Sequence, residues 1–165
     1  MAFRNLSLLV LSLFIIAACG GGGGGDSSYG GGGGATGCTP STTNLCITVV
    51  GGKYVVQNSS SAGVSQKTLT LNAGTYVFDQ SDSSNAGHPL RLSTTADGTH
   101  GGGSAYATGV TLSGTAGTDG KTQIVIGAGT ATTLYYYCHV HPNMGGQINI
   151  VLGNQSGQVE FTETQ

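Results

Sequence analysis

Charge is what this sequence has least of: five Lys and Arg and seven Asp and Glu among 165 residues, a net charge of −2. The few cations are scattered, so the basic patch with which a nucleic-acid binder neutralises phosphates is missing, and nucleic acid is not an expected partner. Tryptophan is absent, and only two methionines and four histidines are present. Strong helix formers give way to Ser, Thr, Val and 31 Gly, and no segment has a helical apolar period. This composition argues for a single all-β domain.

Long hydrophobic runs are missing too. The one candidate, LSLLVLSLFIIAA at residues 6 to 18, has thirteen residues and follows Arg4. It is too short to span a bilayer comfortably and has the layout of a signal peptide. Its end, Ile16-Ala17-Ala18-Cys19, resembles the lipobox of bacterial lipoproteins. That resemblance implies cleavage before Cys19, a lipid on Cys19, and a protein held on a membrane facing the periplasm or the exterior. The competing reading is an ordinary cleaved signal with Cys19 incidental. Residues 20 to 37, GGGGGGDSSYGGGGGATG, have no periodicity and almost nothing to bury, the composition of a flexible tether. Eighteen such residues at roughly 5–6 Å × √n reach on the order of 20 Å. The expected organisation is signal peptide 1–18, lipidated Cys and tether 19–37, and one domain over 38–165. Loss of Arg4 with the signal leaves Lys53, Lys67, Arg91 and Lys121 against seven acidic residues, a net charge of −3.

Four cysteines meet an oxidising compartment in this reading. Cys38 and Cys46 flank CTPSTTNLC, where a disulfide would pin the entry to the domain, whereas two free thiols there would be prone to oxidation. Cys138 then has no cysteine partner and needs another form of protection.

From residue 47 the pattern has period two. ITVVGGKYVVQ reads as a hairpin around Gly51 and Gly52. KTLTLNAGTYVFDQ reads as a second pair around Asn72, Ala73 and Gly74, and HPLRLS places His88, Leu90 and Leu92 on one face. TGVTLSG, KTQIVIG, TLYYYC and GQINIVL add four more strands between Gly-rich turns. Eight or nine short strands argue a Greek-key β-sandwich. Thr94 to Thr108 reads as a long loop, and residues 153 to 165 as either a short edge strand or a tail.

Chemistry concentrates in YYYCHVHPNM, residues 135 to 144. Strand alternation puts Cys138 in a row with Leu134 and Tyr136, and His88 in a row with Leu90 and Leu92, so both end core-facing rows. A tight turn in HVHPNMGG would aim His141 and Met144 at the same point. Two imidazoles, a thiolate and a thioether form the His₂Cys set with a weak axial Met used by blue-copper sites. One copper per chain, changing oxidation state by one electron, is the expected cofactor. His139, one step from Cys138, is expected on the surface, and His100 in solvent; neither is a candidate ligand.

The order His, then Cys-x₂-His-x₂-Met resembles the cupredoxins, and the spacing of CHVHPNM resembles the amicyanin loop. KTLTLNAGTYVFDQSDSSNAGHPL resembles the strand, glycine turn, strand and first-His segment of the same family. The resemblance spans residues 67 to 152. It implies copper ligation by His88, Cys138, His141 and Met144, electron exchange at His141, and an unidentified redox protein as partner; Tyr137, beside Cys138, reads equally as a second electron route or as a plain strand tyrosine. Cupredoxins usually carry Asn after the first ligand His, and here that residue is Pro89, which has no N–H to give. The amide of Val140 is therefore expected to supply the backbone hydrogen bond to the Cys138 sulfur.

Three other readings compete. A domain of this kind that has lost its metal would keep His88 and Cys138 as plain strand-end residues. A delivery protein carrying copper as cargo would be expected to expose extra Met or His, and only Met1 and Met144 are present. An enzyme is suggested by Cys138-His139, which resembles the link to a second copper in multicopper oxidases and nitrite reductases. Such clusters need several further imidazoles, and only His100 remains after His88, His139 and His141 are placed; no enzymatic activity is expected.

Overall fold

The computed structural model describes residues 37 to 153. The expectations for the signal segment, for Cys19, for the tether up to residue 36 and for the tail beyond residue 153 lie outside the described residues. Within them, ten strands form two packed sheets, one or two strands more than the sequence suggests. They are β1 Asn44–Val50, β2 Lys53–Asn58, β3 Ser61–Ser65, β4 Leu69–Asn72, β5 Gly74–Gln80, β6 Leu90–Ser93, β7 Val110–Ser113, β8 Gly120–Ile126, β9 Thr133–Cys138 and β10 Gly146–Val151. The first sheet has the order β3-β2-β1-β5-β8-β7 and the second β4-β10-β9-β6. No helix among the described residues is long and apolar enough to cross a membrane.

The β1–β2 hairpin turns on Gly51 and Gly52, both at positive φ. Two such residues match the right-handed twist of the flanking strands and set the register Val50↔Lys53. The next expected pair is corrected. β4 and β5 are separated by Ala73 alone, yet they lie in different sheets: β4 runs parallel to β10, and β5 runs parallel to β1 and antiparallel to β8. The alternation of Leu69 and Leu71, and of Tyr76 and Phe78, holds because each strand turns one face to the shared core.

That core is built from Leu45, Ile47, Phe78, Ile124, Leu134 and Ile148 with their neighbours, all essentially inaccessible to solvent. Each such side chain contributes about 1.5–3 kcal/mol relative to exposure. The expected disulfide is present: Cys38 and Cys46 are bonded with their Cα atoms 5.8 Å apart, fastening the chain to β1.

Two connections matter for function. Residues 81 to 89 join β5 to β6 through the short 3₁₀ turn Ser83–Asn85 and end with His88 and Pro89. Residues 139 to 145 join β9 to β10 and carry His141 and Met144. Strands β6 and β9 pair antiparallel with Leu90 opposite Cys138, which brings both connections to one end of the sandwich.

Candidate metal centre

Cys138 closes β9 and is fully buried, and it is a free thiol. Its sulfur lies 3.9 Å from Nδ1 of His88 and 3.7 Å from Nδ1 of His141. The two imidazole rings are stacked at a tilt with centroids 4.6 Å apart. The donor atoms of His88, Cys138 and His141 all lie within 4.8 Å of one another. Metal–nitrogen bonds near 2.0–2.1 Å and a metal–sulfur bond near 2.3 Å, at trigonal or tetrahedral angles, put N and S roughly 3.5–3.8 Å apart. The sulfur–nitrogen distances thus fit a single ion with only small adjustment. Of the four residues singled out from sequence, the fold converges these three. Met144 is 2 % exposed and packs in the same apolar cluster as Cys138.

Burial of the thiol bears on the chemistry open to a Cys–His cluster. A nucleophilic cysteine must be reached by its substrate, and Cys138 has no accessible surface. The buried thiol and the two imidazoles together form a group that could hold a metal ion. Burial, and then the charge of His141, lower the pKa of His88 below the ordinary imidazole value. The neutral ring is the form that ligates a metal.

The loop that brings His141 and Met144 back is held from several sides. Asn143 adopts a left-handed conformation, and its N–H donates to Asp97 Oδ1 at 2.8 Å. Its carbonyl accepts from Lys53 Nζ and from Gln66 Nε2, the latter at 3.2 Å. Gln66 also donates to the Gly145 carbonyl at 2.9 Å. Gly145 passes so close to β9 that a Cβ there would sit 1.6 Å from the Tyr136 carbonyl oxygen, so only glycine lets the loop turn into β10 at this point.

Tyr54 links the two ligand segments. Its backbone N–H donates to the Met144 carbonyl at 2.9 Å, and its phenol donates to the His88 carbonyl at 2.7 Å. Burial, followed by the charge of Cys138, pushes that phenol far above the usual tyrosine range, so it remains a proton donor.

The backbone bond to the sulfur comes from a different residue than the sequence suggests. The amide of His141, not that of Val140, donates to Cys138 Sγ, at 3.4 Å. The chain curls after the strand, and the amide three residues on points back at the thiol, in the manner of a side chain capping a turn. His139 is exposed, as expected, while its N–H extends the ladder to the Pro89 carbonyl at 2.9 Å. His100 is also exposed, but its Nε2 lies 3.1 Å from the Cys138 carbonyl and its ring stands edge-on to Tyr137. Tyr137 is fully buried, with Gly98 packed against its ring.

The supports Tyr54, Gln66, Asp97 and His100 escape sequence reasoning. Each is remote in sequence from the residue it holds, and alternation in a strand or polarity in a loop carries no sign of such a contact. No family model matches this sequence, and neither a curated protein nor a solved structure matches it.

Proposed function

We propose that this chain holds one copper ion in a type 1 site and passes single electrons between redox proteins of the cell envelope, tethered to a membrane through a lipid on Cys19. The observation that carries the reading is the fully buried free thiol of Cys138 facing Nδ1 of both His88 and His141 at 3.7–3.9 Å. Met144, buried in the same apolar cluster as that thiol, supplies the fourth donor. Soft sulfur suits Cu(I), imidazole suits both oxidation states, and the set matches no common zinc site, which uses Cys, His or carboxylate rather than thioether. The resemblance of CHVHPNM to the cupredoxins points the same way.

When bound, copper supplies a one-electron couple. The chain's own part is to keep the ligands where both oxidation states accept them. Tyr54 fixes the His88 and Met144 backbones to one strand. The His141 amide takes up charge on the thiolate, and the apolar cluster excludes water from the sulfur. His141 is exposed, so its ring is the end of the site that a partner protein reaches.

The test is redox cycling of copper-loaded protein with ascorbate and ferricyanide through a desalting column. Reversible bleaching with copper retained supports electron transfer. Copper released on reduction would make it cargo, and the proposal would fail.

A further inference from the structure

We propose that Gln80, alongside the Tyr54 phenol that donates to the same carbonyl, positions His88 for the metal by bracketing Pro89 from the opposite sheet. The inference rests on the metal reading of His88 and adds a residue to it.

The need arises from Pro89. Strand β6 begins at Leu90, so His88 lies beyond the regular β6–β9 pairing. The last ladder bond, from the His139 N–H to the Pro89 carbonyl, cannot be returned, because proline has no N–H. Proline also drives the residue before it into an extended conformation, which limits His88 without locating it. The outward side of β6 raises a second need. β6 is an edge strand of its sheet, and the N–H of Leu90 would be an unpaired edge donor if nothing faced it.

Gln80 meets both needs with one side chain. It ends β5 in the other sheet, pairs there with Gly120, and is 2 % exposed. Its Oε1 accepts from the Leu90 N–H at 2.9 Å, and its Nε2 donates to the His88 carbonyl at 2.8 Å. The two bonds clasp the chain on either side of Pro89. The second Nε2 hydrogen faces Asn85 Oδ1 at 3.3 Å, and Asn85 Nδ2 donates in turn to the Ile47 carbonyl at 2.7 Å. The amide can face only one way: turned over, it would set N–H against N–H at Leu90 and carbonyl against carbonyl at His88. A buried amide with donors and acceptor all engaged is a rigid support. It anchors His88 to β5 and, through Asn85, to β1.

Metal ligands commonly depend on partners of this kind, and removing one weakens metal affinity about 10–100-fold. The test compares two variants. Gln80→Met keeps length and removes both bonds. Thr122→Val removes a different buried bond to the same strand residue, the Thr122 Oγ1 donation to the Leu90 carbonyl at 2.9 Å, and leaves the bracket intact.

In metal-free protein, exchange of the Leu90 amide hydrogen should quicken about tenfold in Gln80→Met and hold its parent rate in Thr122→Val. On titration with Co(II), affinity should fall about 10–100-fold in Gln80→Met alone, with its absorption bands shifted. If Gln80→Met does not fold, Gln80→Glu, compared at a pH where the new carboxyl is ionised, keeps the acceptor for Leu90 and offers no donor to His88; it should weaken Co(II) while Leu90 stays protected. A folded Gln80→Met, or Gln80→Glu in its place, with parental Co(II) affinity and bands would overturn the proposal, as would equal losses in Thr122→Val. Amide exchange needs no metal, so a parent protein that ignores Co(II) would overturn the metal reading while the exchange result still judged the bracket.

Discussion

Replacing Tyr54 with Phe isolates one hydrogen bond. The phenylalanine ring fills the same fully buried space and keeps the tilted contact with Tyr136 at 6.3 Å between centroids. What disappears is the phenol's 2.7 Å bond to the His88 carbonyl. That carbonyl still accepts from Gln80 Nε2 at 2.8 Å, so no buried acceptor is orphaned. The loss should therefore be that of an ordinary net hydrogen bond, about 0.5–1.5 kcal/mol, and not the larger penalty of an unsatisfied group. For a folded body of this size, at about 3–5 °C per kcal/mol, the midpoint of thermal unfolding should drop by roughly 2–7 °C. Circular dichroism of metal-free, disulfide-intact protein reads it directly. A cost above about 3 kcal/mol would mean that Gln80 does not hold the same carbonyl, and an unchanged midpoint would mean that the phenol does not donate to it.

Other perturbations probe the ligands and the loop beside them. Met144→Gln should keep the colour of the copper protein and lower its reduction potential by voltammetry, because an oxygen donor favours Cu(II) over Cu(I); an unchanged potential would remove Met144 from the ligand set. His141→Gly should lose the colour and regain it with added imidazole, since the His141 side chain is exposed, and failure of the rescue in folded protein would contradict that placement. Gly98→Ala should destabilise the domain by about 2–4 kcal/mol in urea unfolding, because its φ is +54° and the new Cβ would lie 2.4 Å from the buried Tyr137 ring; a neutral result would mean that the loop does not cover Tyr137.

What the sequence discloses follows from which forces leave a local trace. The β1–β2 hairpin is legible because Gly-Gly between two alternating runs has few alternatives. Strand β3, Ser61–Ser65, leaves no trace: it is an outer strand, largely exposed, and SAGVS has no apolar row to show. The separation of β4 and β5 into two sheets is hidden because their partners, β10 and β1, are parallel and distant in the chain. Alternation reports that a strand has a buried face and nothing about which strand lies beside it. At the site, the four ligand candidates stand out because Cys, His and Met are rare here and crowd into one segment. Their supports do not. Gln80 reads as the polar end of a strand, and Tyr54 as one more alternating aromatic. Only the packing of the two sheets turns their polar atoms towards His88. Counting along an extended chain points to Val140 as the donor, but the backbone turns at once after Cys138 and hands the role to His141.

Whether the buried thiol and its two imidazoles form a blue copper site is read by titrating the metal-free protein with Cu(II) under visible absorption. An intense blue band should saturate at one copper per chain and be absent from Cys138→Ser, because donation from the thiolate to the metal is its source. A folded protein that binds no copper, or binds it without colour, or a Cys138→Ser variant as blue as the parent, would contradict a blue copper site there.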